Sequence, residues 1–134
     1  IQGDAQAIPL ASTSFDRVTM AFGLRNTTDI GQTLSEILRV LKPGGKVGIL
    51  EFSHPTNKMM QSFYHQYLLN ALPLLGQLAV NDSDSYQYLA ESLVQHPPAI
   101  ELKRMMIKVG FNLVDIEPIL GGTVAIHIGL KSYV

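Results

Sequence analysis

The period of the apolar positions changes several times along the chain, and each change marks an element. Residues 16–22 (DRVTMAF) are rich in β-branched and aromatic side chains and are closed by Gly23, which predicts a strand. Leu34, Ile37, Leu38 and Leu41 recur at the i, i+3, i+4, i+7 spacing of one helical stripe. Lys42-Pro43-Gly44-Gly45 then supplies the cation, proline and glycines that stop a helix. Residues 46–52 (KVGILEF) form a nearly continuous apolar run, the pattern of a strand covered on both faces. Strand, helix and strand over this length make a βαβ unit, whose crossover is expected to be right-handed.

Around this unit the pattern is looser. Residues 1–14 read as a loop, with Gly3-Asp4-Ala5, Pro9 and the small polar run Ser12-Thr13-Ser14, and residues 24–29 as a polar loop leading into the helix. Beyond Ser53-His54-Pro55, the residues Met59, Met60, Phe63, Tyr64, Tyr67 and Leu68 suggest a helix with a broad apolar face. Asn81-Asp82-Ser83-Asp84 offers caps for a second helix carrying Tyr86, Leu89, Ala90, Leu93 and Val94. His96-Pro97-Pro98 interrupts, and a third helix follows with Leu102, Met105, Met106 and Val109 on one face and Gly110 as its C-terminal cap. Two strands, 112–117 and 123–130, end the chain, and in the second Val124, Ile126, Ile128 and Leu130 alternate with Thr123, Ala125, His127 and Gly129. The expected fold is an α/β domain with an inserted helical pair.

Composition narrows the function. With 46% hydrophobic residues in 134, the chain can bury a core. Ten basic against eleven acidic residues give no overall field for nucleic acid or an anionic membrane. The absence of cysteine excludes disulfides, thiolate zinc sites and a cysteine nucleophile. The longest apolar stretch, 67–80, is broken by Asn70, Pro73 and Gln77 and falls short of the roughly 20 residues of a bilayer span. No basic-then-apolar leader is visible, and a start at Ile1 leads us to expect that the true beginning lies upstream.

In open α/β sheets ligands bind beyond the carboxyl ends of the strands, which here are the loops Gly23-Leu24-Arg25-Asn26 and Glu51-Phe52-Ser53-His54. Arg25 and Asn26 offer fixed donors and an amide suited to an oxyanion; equally, Arg25 can pair with Asp29 on the surface and Asn26 can serve a turn. Asp4 is either an acceptor for a ligand amine or a turn aspartate. The Gly44-Gly45 pair follows a helix instead of opening one, so it is no phosphate cradle. His54, His65, His96 and His127 fall on different elements and are not expected to cluster, so no metal site is expected.

The run from Arg39 to Ser53 (RVLKPGGKVGILEFS) resembles a signature of the ubiquinone/menaquinone C-methyltransferases. Phe22-Gly23-Leu24-Arg25-Asn26, the segment 81–92 (NDSDSYQYLAES) and the ending Ala125-Ile126-His127-Ile128-Gly129 resemble further segments of that family, in family order, over residues 3–131. The resemblance implies the C-terminal half of a class I S-adenosylmethionine-dependent methyltransferase fold, Rossmann-like, with a mainly parallel sheet and a terminal antiparallel hairpin. The four strands would be the family's strands four to seven. The N-terminal cofactor-binding strands, with their glycine-rich turn and ribose-binding acid, would be absent. Residues 1–134 would form part of one domain with a helical lid at about 56–96, and the uncovered edge of the first strand would invite pairing.

The implied activity is methyl transfer from S-adenosyl-L-methionine to a ring carbon of 2-polyprenyl-6-methoxy-1,4-benzoquinol or demethylmenaquinol, with this chain inactive alone. The resemblance places Asp4, Ala5 and Ala21 at the cofactor, Arg25 and Asn26 in catalysis, and Phe22, Asp82, Tyr86 and His127 on the substrate side. A guanidinium keeps its proton in proteins, so Arg25 is expected to stabilise a phenolate while Asn26 orients a water, with His127 a reserve base. Implied partners are the quinol, a membrane surface, and a second copy or a quinone-biosynthesis complex, but no nucleic acid. The setting would be the inner membrane, on the cytoplasmic side in a bacterium or the matrix side in a mitochondrion. The competing readings are a non-catalytic quinol-binding or assembly subunit, and a methyltransferase with another acceptor.

Overall fold

A computed structural model describes residues 1–72, 74 and 83–133. Its centre is a four-stranded sheet of order β1-β2-β4-β3, formed by β1 (Phe15–Ala21), β2 (Leu41–Phe52), β3 (Phe111–Ile119) and β4 (Val124–Lys131). β1 and β2 run parallel, while β4 is antiparallel to both β2 and β3.

The connection between β1 and β2 is α1 (Ile30–Val40). Asp29 caps it, its side chain accepting a hydrogen bond from the Gln32 N–H at 2.9 Å. Leu34, Ile37 and Val40 are buried along one stripe. Leu41, expected inside the helix, lies just beyond it in extended backbone and pairs with Phe15. Lys42-Pro43-Gly44-Gly45 is therefore drawn into the start of β2 as a bulge, since Arg17 on β1 next pairs with Lys46. Gly45 is fixed there by crowding: a Cβ would stand 2.8 Å from the Lys42 carbonyl oxygen and 3.1 Å from that of Asp16.

Residues paired across the sheet share a face, so Val18, Val47 and Gly129 point to one side, as do Met20, Ile49 and His127. That side is covered by α1 and by α4 (Ala99–Val109), whose Leu102 and Met106 join Leu34, Ile37, Val47, Ile49 and Phe111 in the main core. On β4 the small set Ala125, His127 and Gly129 is the buried one, and Ile128 on the opposite side is 42% exposed. The reason is the closeness of α4: a Cβ on Gly129 would meet Met106 at 2.9 Å and Phe111 at 3.2 Å.

After β2 come α2 (Lys58–Gln66), extended by a wide turn of π type at Tyr67–Ala71, and α3 (Ser83–Gln95). They meet in a second, smaller core of Leu68, Ala90 and Leu93, against which Phe52 and Tyr64 pack. The broad apolar face expected on α2 is only half used, with Met59 and Phe63 about 70% exposed. The residues 24–29, expected as a polar loop, contain a 3-10 turn at Leu24–Asn26 whose Leu24 is fully buried.

The N-terminal loop is bound to α1. Arg39 donates to the carbonyl oxygens of Ile8 and Leu10 at 2.8 and 2.9 Å and pairs with Glu36 at 2.7 Å, and Glu36 accepts from the Ile8 N–H. The hydrogen bonds from Arg39 hold the Glu36 carboxyl below its ordinary range. Gln6 is tied to the start of the same helix by bonds from Thr28 and the Asp29 N–H.

The crowding at the bulge gives a simple test. Gly45→Ala is expected to destabilise the protein by about 1–3 kcal/mol, because the clash is with backbone. Gly48→Ala, whose nearest neighbour to a new Cβ is Thr19 at 4.0 Å, should leave the denaturation midpoint unchanged or raise it.

Candidate active site

A charge at the end of an apolar strand has to be matched, and Glu51 is the last inward residue of β2, 1% exposed. Its Oε1 accepts from the Arg25 Nη1–H at 3.0 Å and from the Phe52 N–H at 2.9 Å, and its Oε2 from the Arg25 N–H at 3.4 Å. Arg25 is held a third way, donating from Nη1 to the Phe22 carbonyl oxygen at 2.8 Å. Its guanidinium carbon lies 5.2 Å from the centre of the Phe52 ring, which in turn packs on Phe22 at 4.8 Å. Phe22 occupies the left-handed region, φ +52°, a strained conformation for a bulky residue that turns the chain sharply out of β1. The pairing replaces the surface contact with Asp29 that the sequence also allowed, since Asp29 is engaged as the cap of α1.

Asn26, one residue on, is exposed and its Oδ1 accepts a hydrogen bond from the Tyr88 hydroxyl at 3.2 Å, which links this loop to α3. Tyr86, the tyrosine singled out in the sequence, is half-buried on the same helix, and Tyr88 makes the bond. Asp82 lies outside the described residues. Ala21 is exposed at the end of β1, in register with Leu50.

The histidines do gather, contrary to their separation in sequence. His96, at the end of α3, is buried, and Glu51, Arg25, His54 and His127 all lie close enough to act on it electrostatically. The sheet puts His127 of β4 diagonally opposite Glu51 of β2 on the covered face, and the chain reversal at Pro97-Pro98 brings His96 back over that pair. His54 donates from Nε2 to the His96 carbonyl oxygen at 2.9 Å, and His127 from Nε2 to the Ala99 carbonyl oxygen at 2.8 Å. Ser53 accepts from the Ala99 N–H at 3.0 Å, fixing the start of α4. Among the described residues no three His, Asp or Glu side chains form a group that could hold a metal ion.

Burial pulls the His96 imidazole down from 6.5 to about 4; the Glu51 carboxylate opposes this, while His54, Arg25 and His127 add to it. Burial also lowers His127, against its hydrogen bond to Ala99 and with help from Lys103.

Asp4 and Ala5 lie elsewhere, on a cleft of about 290 Å³ against β1, walled by Ile8, Val18, Met20 and Ile37. Asp4 forms a turn, its Oδ1 accepting from the Gln6 N–H at 2.9 Å. The structure thus separates one cleft with Asp4 and Ala5 from a site built on Arg25, Asn26 and Phe22, with His127 beneath it. Glu51, His96 and Tyr88 were given no site role by the sequence, although Glu51 opens the second candidate loop. Only Glu51 had a signal, as a charge inside the apolar run KVGILEF.

The order and directions of the strands, with the polar residues beyond the carboxyl ends of β1 and β2, define the class I methyltransferase fold. A SAM-dependent methyltransferase from Thermotoga maritima superposes on 98% of this chain and 63% of its own with a TM-score of 0.71 at 18% identity. The phosphoethanolamine N-methyltransferase 2 of Haemonchus contortus, solved with S-adenosylhomocysteine, does so over 96% and 36% with a TM-score of 0.64 at 14% identity. The [4+2]-cyclase SpnF matches equally well, at a TM-score of 0.67 over 97% and 54% with 17% identity.

The chain itself belongs to the ubiE/COQ5 methyltransferase family, whose model matches residues 1–131. It is 50% identical over 131 residues to the ubiquinone/menaquinone biosynthesis C-methyltransferase UbiE of Idiomarina loihiensis and 49% identical to that of Pseudomonas savastanoi pv. phaseolicola. These matches cover 98% of this chain but 52% and 51% of the relatives, so the chain spans about half their length.

The depressed histidines set a pH dependence of stability. In the folded protein His96 stays neutral where the unfolded chain takes up a proton, so stability is full above about pH 6.5 and falls as pH drops towards 4. Each imidazole takes up one proton, which caps its share of the loss at about 1.4 kcal/mol per pH unit. Chemical denaturation at pH 7.5 and pH 5 should show the midpoint dropping in the native protein, and dropping less in His96→Gln.

Proposed function

We propose that residues 1–131 carry the acceptor side of an S-adenosylmethionine-dependent C-methyltransferase that acts on a polyprenyl quinol ring in ubiquinone/menaquinone biosynthesis. The observation that carries this reading, beside membership of the family, is the buried pairing of Arg25 with Glu51, which sets a guanidinium at the mouth of the sheet.

When bound, S-adenosylmethionine supplies an electrophilic methyl group with a good leaving group. The residues present fit its adenosine end: the cleft beside β1 has apolar walls for a flat ring, and the exposed Asp4 carboxylate keeps acceptor sites for an exocyclic amine beyond its bond to Gln6. Ala5 lines the same cleft and offers backbone there without bulk, and Ala21, exposed at the end of β1, does so at the strand end. The acceptor ring is made nucleophilic at carbon by ionisation of a ring hydroxyl. Arg25, anchored at three points, stabilises the phenolate without having to reorganise. Asn26, oriented by Tyr88, positions a water that removes the proton. Phe22, packed on Phe52 beside the Arg25 guanidinium, shields that cation from solvent, and Tyr86 of α3 stands on the substrate side.

Within the span from about 56 to 96, α2 and α3 act as a lid. A groove of about 960 Å³ between α2 and the His96–Ile100 segment suits the polyprenyl tail. Met59, Phe63 and Tyr67, spaced four apart and exposed, suit contact with the surface of the bilayer that dissolves the quinol. Among the described residues no helix is long and apolar enough to cross a membrane. The site of action is then the face of the inner membrane, cytoplasmic in a bacterium or matrix-side in a mitochondrion.

The test is methyl transfer from labelled S-adenosylmethionine to demethylmenaquinol or 2-polyprenyl-6-methoxy-1,4-benzoquinol by the protein completed with the cofactor-binding half that the family resemblance implies, with label expected in a new ring C-methyl group and none expected from this chain alone. Quinol binding without transfer by that completed protein would instead make this a non-catalytic quinol-binding subunit. Asn26→Ala removes an exposed side chain, so it should leave the fold intact while lowering kcat by about 100-fold or more.

A further inference from the structure

Unpartnered polar atoms in a buried place indicate what a site is built to receive, because each costs free energy until something bonds it. Among the described residues four buried side-chain atoms lack a hydrogen-bond partner: Arg25 Nε, both ring nitrogens of His96, and His127 Nδ1. Three of the four belong to Arg25 and His96, which line one cleft of about 430 Å³ between the start of α1 and α3. Ile30, Met105 and Tyr88 give that cleft apolar wall.

The unmet demand has a definite chemistry. A neutral imidazole carries one N–H and one lone pair, and Arg25 Nε carries one N–H. The cleft therefore asks for a group that accepts hydrogen bonds and also donates one. A carboxylate or phosphodiester only accepts, which leaves the imidazole lone pair unmet. An ammonium only donates, which leaves the Arg25 Nε–H and the imidazole N–H unmet. A hydroxyl does both, and an aromatic ring bearing it fills the apolar wall.

We propose that His96 and Arg25 together bind the ring hydroxyl of the acceptor, the His96 lone pair accepting its proton in a hydrogen bond and Arg25 Nε–H donating to its oxygen. This deepens the quinol reading above and rests on it for the identity of the ring. It makes His96 a substrate-binding residue, a part the sequence pattern did not give it. The side chain carries no internal hydrogen bond, whereas its backbone is fixed at both ends, N–H to the Ser92 carbonyl at 3.1 Å and carbonyl to His54 at 2.9 Å. The ring is thus positioned by the chain and left available. The groups that face it are Arg25 of the 3-10 turn, Glu51 of β2, His54 beyond it and His127 of β4; burial among them keeps the imidazole neutral and its lone pair open near pH 7.

The experiment is ring-nitrogen NMR of the full chain labelled with 15N-histidine, at neutral pH without oxygen. Methoxyhydroquinone is the probe and 1,2,4-trimethoxybenzene, the same ring without a hydroxyl, is the control. The His96 signals are those lost in His96→Phe, a variant that keeps the ring volume and removes no internal hydrogen bond. The proposal expects methoxyhydroquinone to move the unprotonated His96 nitrogen upfield, trimethoxybenzene to leave it in place, and His96→Phe to weaken methoxyhydroquinone binding by about tenfold.

Equal shifts with both compounds, or undiminished binding by His96→Phe, would overturn it. No change up to the solubility limit would assign the cleft to water alone and overturn it as well. A clear His96 shift in a protein that fails to methylate quinols would uphold the hydroxyl site and remove the proposed reaction, so the two fail separately.

Discussion

A carboxylate buried at the end of a sheet strand has few stable solutions, and the site follows from the one found here. Glu51 sits among Val47, Ile49 and the helices that cover them, where an unpaired charge would be costly. Arg25 satisfies it with both side chain and backbone, and this contact decides the shape of the loop after β1. The same guanidinium ties down the Phe22 carbonyl, which secures a residue in left-handed backbone, and it rests against Phe52. One ion pair thus orders both loops at the carboxyl ends of the parallel strands. A cation fixed in this way is pre-organised for an oxyanion, because its orientation was set when the chain folded.

The covered face of the sheet shows why polar residues collect beneath that pair. β4 presents Ala125, His127 and Gly129 to α4, and the small residues let the helix approach closely enough to cap His127 with the Ala99 carbonyl. The His96-Pro97-Pro98 reversal before α4 then folds a second imidazole over Glu51. The superposition of a cyclase alongside methyltransferases shows that such a sheet does not fix a reaction. What distinguishes this chain is the set of side chains at the strand ends.

Much of this was legible in the sequence. The βαβ unit, the third helix with its Gly110 cap and the terminal pair of strands follow from periodicity, because each element has one apolar face and a chemical stop. The family segments named Arg25 and Asn26 and placed them beyond a strand. What could not be read was pairing between distant elements. Nothing in the spacing of His54, His96 and His127 foretells their meeting, which depends on the β2–β4 register and on a proline-directed reversal. The partner of Arg25 was equally hidden, since Asp29 is nearer in sequence but is taken up by the N-terminus of α1. The inward face of β4 is set by helix packing, so the alternation of Ile126 and Ile128 alone did not say which side they occupy.

The measurement that bears most directly on this account is a double-mutant cycle on Arg25 and Glu51, using Arg25→Met and Glu51→Leu and reading unfolding free energy. If the buried pair organises the site, Arg25→Met alone should cost about 3–5 kcal/mol, because it strands the carboxylate. The double variant should recover part of that loss, giving a coupling on the order of 1–3 kcal/mol. Single costs that simply add, with a coupling below about 0.5 kcal/mol, would show that the loop is held by other contacts and would contradict the account.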